Sequence, residues 1–134
     1  MVMKRKVIQH RPQRSGGVSI SDVACLVVLI TVGSREEAQR IARQLVEHRL
    51  AACVNIMQAV ESWFWWQGKI DQSSEALLIV KTVPARLPVL IDRVRAWHSY
   101  DSPEIIALPV VGGDADYLKW VFNSCADSST TRSV

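Results

Sequence analysis

The 134-residue sequence has no apolar run long enough to cross a membrane. Its longest run, residues 23–32, is about half of the ~20 residues that a spanning helix needs. The three cysteines, Cys25, Cys53 and Cys125, are an odd number without Cys-x-x-Cys spacing. This argues against a disulfide framework or a structural zinc site and fits a reducing cytoplasm. Glycine-rich phosphate loops and a Gly-x-Ser-x-Gly elbow are also missing, so no nucleotide-binding or serine-hydrolase motif is indicated.

Acidic residues are missing from the first 17 residues, which carry five of the 16 lysines and arginines. The rest of the chain has 11 basic and 13 acidic residues, so the basic pI belongs to this N-terminal segment and nucleic-acid binding is not predicted. These charges are not followed by the apolar segment of a secretory signal. We expect a disordered basic tail over residues 1–20, one domain over 21–124 and a flexible tail over 125–134.

The hydrophobic pattern predicts elements in the order βαββαβ, followed by a short helix. Strands are expected over residues 23–32, 53–66, 69–80 and 105–108, with a bend near 58–59 and a turn at 67–68. Ser34 and Glu37 have capping-box spacing at the start of the first helix, Pro84 is expected to open the second, and Asp114 to cap the last. The predicted apolar stripes of the two long helices are Ala38, Ile41, Ala42, Leu45 and Val46, then Leu87, Leu90, Ile91, Val94 and Trp97.

This element order predicts an α+β fold. Right-handed crossovers place both long helices on one face of a four-stranded antiparallel sheet whose first and third strands are central. Both central strands are apolar on both faces, yet the helices cover only one. The open apolar face must therefore be buried by another surface, and oligomerisation is the simplest way to provide that surface.

The tip of the long hairpin is rich in tryptophan. Alternation along the strand places Trp63 and Trp65 on one face and Phe64 and Trp66 on the other. Each ring carries roughly 150–250 Å² of surface, more than a soluble monomer usually leaves exposed in one patch. An intrachain core is the simpler interpretation, and a subunit interface is the preferred one.

A polar cluster over residues 98–104 joins the second helix to the fourth strand. His98 and Glu104 can ligate a divalent ion through nitrogen and oxygen, a mixture that suits Cu(II) or zinc. Structural roles are the alternative: His98 caps the helix, Asp101 forms a turn and Glu104 pairs with a base such as Lys81.

Five short motifs occur in order along the chain: Ala-Ala-Cys-Val-Asn at 51–55, Trp-Gln-Gly-Lys at 66–69, Leu-Ile-Val-Lys-Thr at 78–82, Pro-Glu-Ile-Ile-Ala-Leu-Pro at 103–109 and Asp-Tyr-Leu-Lys-Trp at 116–120. Together they resemble the CutA divalent-ion tolerance family, and the resemblance covers residues 23–123. It implies a ferredoxin-like trimer with hairpins exchanged around a threefold axis, cytoplasmic in bacteria and linked to tolerance of copper and other divalent cations.

The resemblance also implies site residues. The metal and cleft residues of the family match His98, Tyr100 and Glu104, with Lys81 nearby. Ile30 stands where some members have a first-strand cysteine proposed as a copper ligand, and Ser99 stands where a proline follows the histidine. Loss of the thiolate removes the softest ligand.

These observations predict a non-enzymatic homotrimer that binds Cu(II) or another divalent cation weakly. The alternative is a PII-like signalling trimer that binds an anionic metabolite through Lys81 and Tyr100 at an inter-subunit cleft. An enzyme is the least favoured class, because no nucleophile–base pair is visible. No nucleic-acid or membrane partner is expected.

Overall fold

The computed structural model describes residues 23–126. The predicted tail over 1–20 lies outside the described residues. The elements follow the predicted order: β1 (Leu26–Val32), α1 (Arg35–Glu47), β2 (Cys53–Trp66), β3 (Lys69–Thr82), a 3₁₀ turn (Pro84–Arg86), α2 (Leu87–Trp97), β4 (Ile105–Pro109) and α3 (Ala115–Ser124). None of the helices within residues 23–126 is both long and apolar enough to span a bilayer.

The four strands form one antiparallel sheet in the order β2-β3-β1-β4. The prediction that the first and third strands are central is therefore confirmed, as is the α+β, ferredoxin-like fold. β4 is an edge strand that ends at Pro109, in keeping with the missing N–H of proline.

The main core lies between the two long helices and one sheet face. Val28 and Ile30 of β1 and Leu78 and Val80 of β3 are fully buried there. The predicted stripe of α1 is buried except for Val46, which is 45% exposed. That part of the prediction was wrong, because residue 46 lies about 100° around the helix from Leu45.

Among residues 23–126 of one chain, nothing covers most of the other sheet face. Ile106 and Leu108 of β4 and Met57 of β2 are about half exposed. Only one end of this region carries a second small core, in which α3 packs through Val121 against the start of β1. The expectation that both long helices cover one and the same face is confirmed.

The second helical segment begins differently from the prediction. The chain first makes a 3₁₀ turn, in which the Leu87 N–H donates to the Pro84 carbonyl, and α2 starts only at Leu87. Pro88 explains the difference. It lacks the N–H that would make the α-helical bond to Pro84, so the three-residue bond is made instead.

The long hairpin has two irregularities, both at predicted places. The register shifts between Met57 and Val60, and Ala59 adopts a positive φ of 57°. The turn uses Gln67 and Gly68, with φ of 49° and 76°, as expected for a tight two-residue loop. β1 pairs with β3 only as far as Ala76, so residues 69–75 pair with β2 alone and form a two-stranded ribbon.

The folded part extends past the predicted domain end at residue 124. Cys125 is only 2% exposed and packs in the second core. Its carbonyl accepts a hydrogen bond from Arg86 Nε at 2.8 Å. The remainder of the predicted C-terminal tail, residues 127–134, lies outside the described residues.

The register shift between Met57 and Val60 is a β-bulge, and it generates a stability prediction. The left-handed conformation of Ala59 costs an L-residue about 1–2 kcal/mol, whereas glycine adopts it freely but loses more chain entropy on folding. We expect Ala59→Gly to raise the free energy of unfolding by about 0.5–1 kcal/mol in urea denaturation. Gln58→Gly, at the neighbouring position without a positive φ, is the matched control and should lower it. A loss of stability in both variants would contradict the assignment of strain to Ala59.

Candidate functional site

Glu37 lies in the first turn of α1 but does not complete the predicted capping box. Ser34 caps the helix as expected, its Oγ accepting the Glu37 N–H at 3.2 Å. The Glu37 carboxylate turns away and accepts from the backbone N–H and the Oγ of Ser99, at 2.8 and 2.9 Å. Glu37 is buried. This carboxylate therefore fixes the loop after α2 rather than the helix start.

His98 ends α2 as its C-cap and is buried. Its Nε2 lies 2.7 Å from the Thr31 carbonyl oxygen, and its Nδ1 lies 3.0 Å from the Tyr100 backbone nitrogen. A carbonyl only accepts and a backbone N–H only donates, so Nε2 carries the proton and Nδ1 is the acceptor. Both ring nitrogens are thus engaged within the chain. The Glu37 carboxylate lies 3.6 Å from Nδ1.

Tyr100 connects this loop to the middle of β3. Its ring lies 4.7 Å from the His98 ring, and its hydroxyl donates to Glu75 Oε2 at 2.8 Å. Burial raises the pKa of the Tyr100 hydroxyl far above its ordinary value, and the hydrogen bond to Glu75 raises it further. Gly33 accommodates the phenol, since a Cβ there would lie 3.3 Å from the hydroxyl oxygen.

Glu75 and Glu104 bring two carboxylates together. Glu75 is only 4% exposed. Burial raises the pKa of Glu104, and the negative charge of Glu75 raises it further. Within residues 23–126 neither carboxylate forms an ion pair with a lysine or arginine. In this part of the chain, negative charge on these two carboxylates is therefore not neutralised by a direct ion pair.

Two adjoining cavities open beside these residues. The larger, of about 350 Å³, lies between Gly33, Ser34 and Glu37 on one side and Ser73 on the other. The smaller, of about 190 Å³, shares Gly33 and Ser34 and extends to Glu75 and the bulge. We call the two together the α1 groove. Beside Glu75 the lining also includes Arg35 and Gln58.

Lys81 lies away from the cluster of Tyr100, Glu75 and Glu104. Its ammonium donates to Asn55 Oδ1 and lies 4.0 Å from the Cys53 sulfur. Lys81 lies six positions along β3 from Glu75, a distance of about 20 Å at the rise of an extended strand. One chain therefore does not bring Lys81 and Tyr100 together, and the alternative in which Glu104 pairs with Lys81 is wrong.

The predicted metal ligands do not form a complete site within one chain. In the described part of the chain, no three His, Cys, Asp or Glu side chains are grouped so that they could hold a metal ion. Ile30 is fully buried in the core and has no donor atom. Coordination by His98 and Glu104 therefore stays a prediction.

Sequence reasoning missed Glu37 and Glu75. Glu37 was assigned to the capping box, which explained it without a tertiary partner. Glu75 stands where the polar half of β3 becomes apolar. A carboxylate next to a buried apolar run is unusual, and this position could have identified Glu75 as a buried polar residue.

Comparison with known proteins decides the family. Residues 26–124 match the family model described as CutA1 divalent ion tolerance protein.

The chain belongs to this family.

Several CutA relatives support the assignment. The chain is 52% identical over 95 residues to the divalent-cation tolerance protein CutA of Thermus thermophilus, covering 71% of this chain and 92% of that protein. It is 45% identical over 106 residues to Protein CutA 1, chloroplastic, of Oryza sativa, covering 79% of this chain but 60% of that protein. The chain thus spans less than two thirds of the length of this plant relative.

Solved CutA structures share the fold. The structure of the divalent cation tolerance protein (Cut A1) from Thermus thermophilus superposes with a TM-score of 0.74 at 49% identity, covering 75% of this chain and 97% of that chain. The structure of CutA1 from Oryza sativa gives 0.75 at 45% identity, covering 78% and 95%.

The carboxylate pair generates a pH prediction. The pKa of Glu104 is raised in the folded state, so the folded protein holds the Glu104 proton more tightly than the unfolded chain. This contribution to the free energy of unfolding is complete below the ordinary pKa of glutamate, and it is lost as the pH rises through the raised pKa. We expect Glu104→Gln to be more stable than the wild type at pH 7 and nearly equal at pH 4, measured by urea denaturation. Glu36→Gln, at an exposed first-turn position, is the control and should not show this gain. A Glu104→Gln variant that is less stable than the wild type at pH 7 would contradict a raised pKa at Glu104.

Proposed function

We propose that this chain is a homotrimeric, cytoplasmic divalent-cation tolerance protein that binds a divalent cation such as Cu(II) weakly and catalyses no reaction. Membership of the CutA family supports the role in divalent-ion tolerance. The observation that carries the binding proposal is the pair of buried Glu75 and half-buried Glu104, which forms no ion pair with a lysine or arginine within the described residues.

A cation between these carboxylates offsets their repulsion. Two neighbouring carboxylates that both ionise favour any bound positive charge, and burial strengthens the attraction. Carboxylate and hydroxyl oxygens also suit hard divalent ions, and for a given set of ligands Cu(II) binds most tightly among the first-row divalent ions. Copper is therefore the sensitive test ion, although carboxylate and hydroxyl ligands do not by themselves select it.

His98 remains a proposed ligand, but its ring must first give up one of its two hydrogen bonds. Coordination through Nδ1 requires the Tyr100 N–H to leave that nitrogen, and coordination through Nε2 requires loss of the bond to Thr31. Either change gives up a buried hydrogen bond, which costs about 1–3 kcal/mol. Binding through His98 should for that reason be weak.

Assembly is proposed from the unsatisfied surfaces of one chain. The sheet has two different edges, β2 and β4, and an open apolar face. Contact between two unlike surfaces is heterologous, and repeating it produces a closed ring when the rotation allows. The number three comes from the family resemblance.

The geometry does not favour the anionic-metabolite alternative. Besides burial, the negative charges of Glu75 and Glu37 act on Tyr100 and raise the pKa of its hydroxyl, and Lys81 lies about 20 Å from Glu75 along β3. The cytoplasmic location is likewise a proposal for this chain. Relatives carry other locations in their names, such as chloroplastic in Oryza sativa.

Copper titration tests the binding proposal. We expect Glu104→Gln and Glu75→Gln each to weaken Cu(II) binding by about tenfold or more, because each removes one of the negative charges that attract the ion. His48→Ala, at the exposed end of α1, should have no effect. Isothermal calorimetry is done in a His10→Ala background, which removes the histidine near the N-terminus. His98→Ala in the same series tests the histidine ligand. Equal isotherms for the wild type and both glutamine variants would overturn the carboxylate site.

Sedimentation tests the assembly. We expect the wild type at micromolar concentration to have about three times the 15.0 kDa mass of the chain. Trp65→Ala should shift it toward smaller species, because this tryptophan is 63% exposed within one chain and aromatic residues dominate interfaces. Val89→Ala, also exposed but on α2, is the control and should sediment like the wild type. A monomeric wild type would refute the proposal.

A further inference from the structure

Two cysteines belong to one buried cluster near the two ends of the described chain. Cys25 directly precedes β1 and Cys125 directly follows α3, and each is only 2% exposed. They belong to one small buried cluster, together with Val83 and Val121. Both are free thiols.

Neighbouring contacts define how the two thiols are held. Leu26 is opposite Thr82 in the register of β1 and β3, which places Cys25 beside the end of β3. Thr82 Oγ1 donates to the Leu50 carbonyl at 2.7 Å and lies 3.8 Å from the Cys125 sulfur. Thr82 therefore brings the end of α3 to the same strand end that Cys25 occupies.

The end of α3 is further fixed by two arginines. Arg86 Nε donates to the Cys125 carbonyl at 2.8 Å, and an Arg49 guanidinium nitrogen donates to the Ser124 carbonyl at 3.2 Å. The backbone at Cys125 is thus held in place against β1. Burial raises the pKa of both thiols, and each is a poor nucleophile while the cluster is closed.

We propose that Cys25 and Cys125 form a redox pair, which a peroxide oxidises to a disulfide joining the start of β1 to the end of α3. Opening of the α3 end exposes one thiol. Its thiolate attacks the peroxide, an O–O bond breaks, and a sulfenic acid and hydroxide form. The second thiol attacks this sulfur and releases water. Overall, two thiols and one hydrogen peroxide give one disulfide and two waters.

Such a crosslink would act mainly on the unfolded chain. It closes a loop that contains nearly every described residue, and long loops lose the most freedom when they are closed. We expect oxidation to raise the melting temperature on the order of 10 °C. Cys53 differs, because it is only half-buried on β2 and lies beside Lys81 instead.

The experiment treats the full chain with hydrogen peroxide at a temperature about 10 °C below its melting point, where the α3 end opens. Free thiols are then alkylated under denaturing conditions and the protein is digested with trypsin. The expected product is a disulfide between peptides 15–35 and 120–132, with Cys53 alkylated. Non-reducing electrophoresis should show a single-chain species.

Matched variants complete the test. Cys53→Ser should still form the linked peptides and show the reversible rise in melting temperature, whereas Cys125→Ala should show neither. Full alkylation of all three cysteines after oxidation would overturn the proposal. A crosslink through Cys53, a crosslink between chains, or an equal thermal shift in Cys125→Ala would overturn it as well.

Discussion

The buried carboxylate of Glu37 is the contact on which the candidate site depends. It accepts two hydrogen bonds from Ser99, and this places His98 with one ring nitrogen on the Thr31 carbonyl and the other on the Tyr100 N–H. Tyr100 then reaches Glu75. A continuous series of hydrogen bonds therefore runs from α1 past the end of β1 to β3. Because buried polar groups lose stability when one partner is missing, these residues hold their positions as a unit.

Most of the fold was predictable because local chemistry and global packing agree. The positions of Ser34 and Asp114 as caps and the Gln67-Gly68 turn follow from preferences that act over a few residues. The order of the strands followed from handed crossovers. Two errors had local causes. The pattern did not reveal that Pro88 would force a 3₁₀ turn, or that Val46 lies outside the buried stripe.

The site was less predictable because its contacts are distant in sequence. His98, Tyr100 and Glu104 lie in one cluster that composition alone draws attention to. Their partners come from elsewhere: Glu37 lies 62 residues from Ser99, and Glu75 lies 25 residues from Tyr100. The engagement of both His98 nitrogens and the separation of Lys81 from Tyr100 depend on three-dimensional packing that a pattern of spacings does not contain.

The outer part of the long hairpin has a consequence for how the protein folds. Residues 69–75 pair with β2 alone, and an isolated two-stranded ribbon is at best marginally stable in water. Glu75 at the base of the ribbon is held by Tyr100, but the sheet body, which has its own helices and core, can form without the part of the ribbon beyond Glu75. Ordering of the ribbon is then linked to whatever binds its exposed tryptophans, and linkage of this kind makes apparent stability depend on protein concentration. In the proposed homotrimer, dilution should therefore loosen the hairpin well before the body of the domain unfolds.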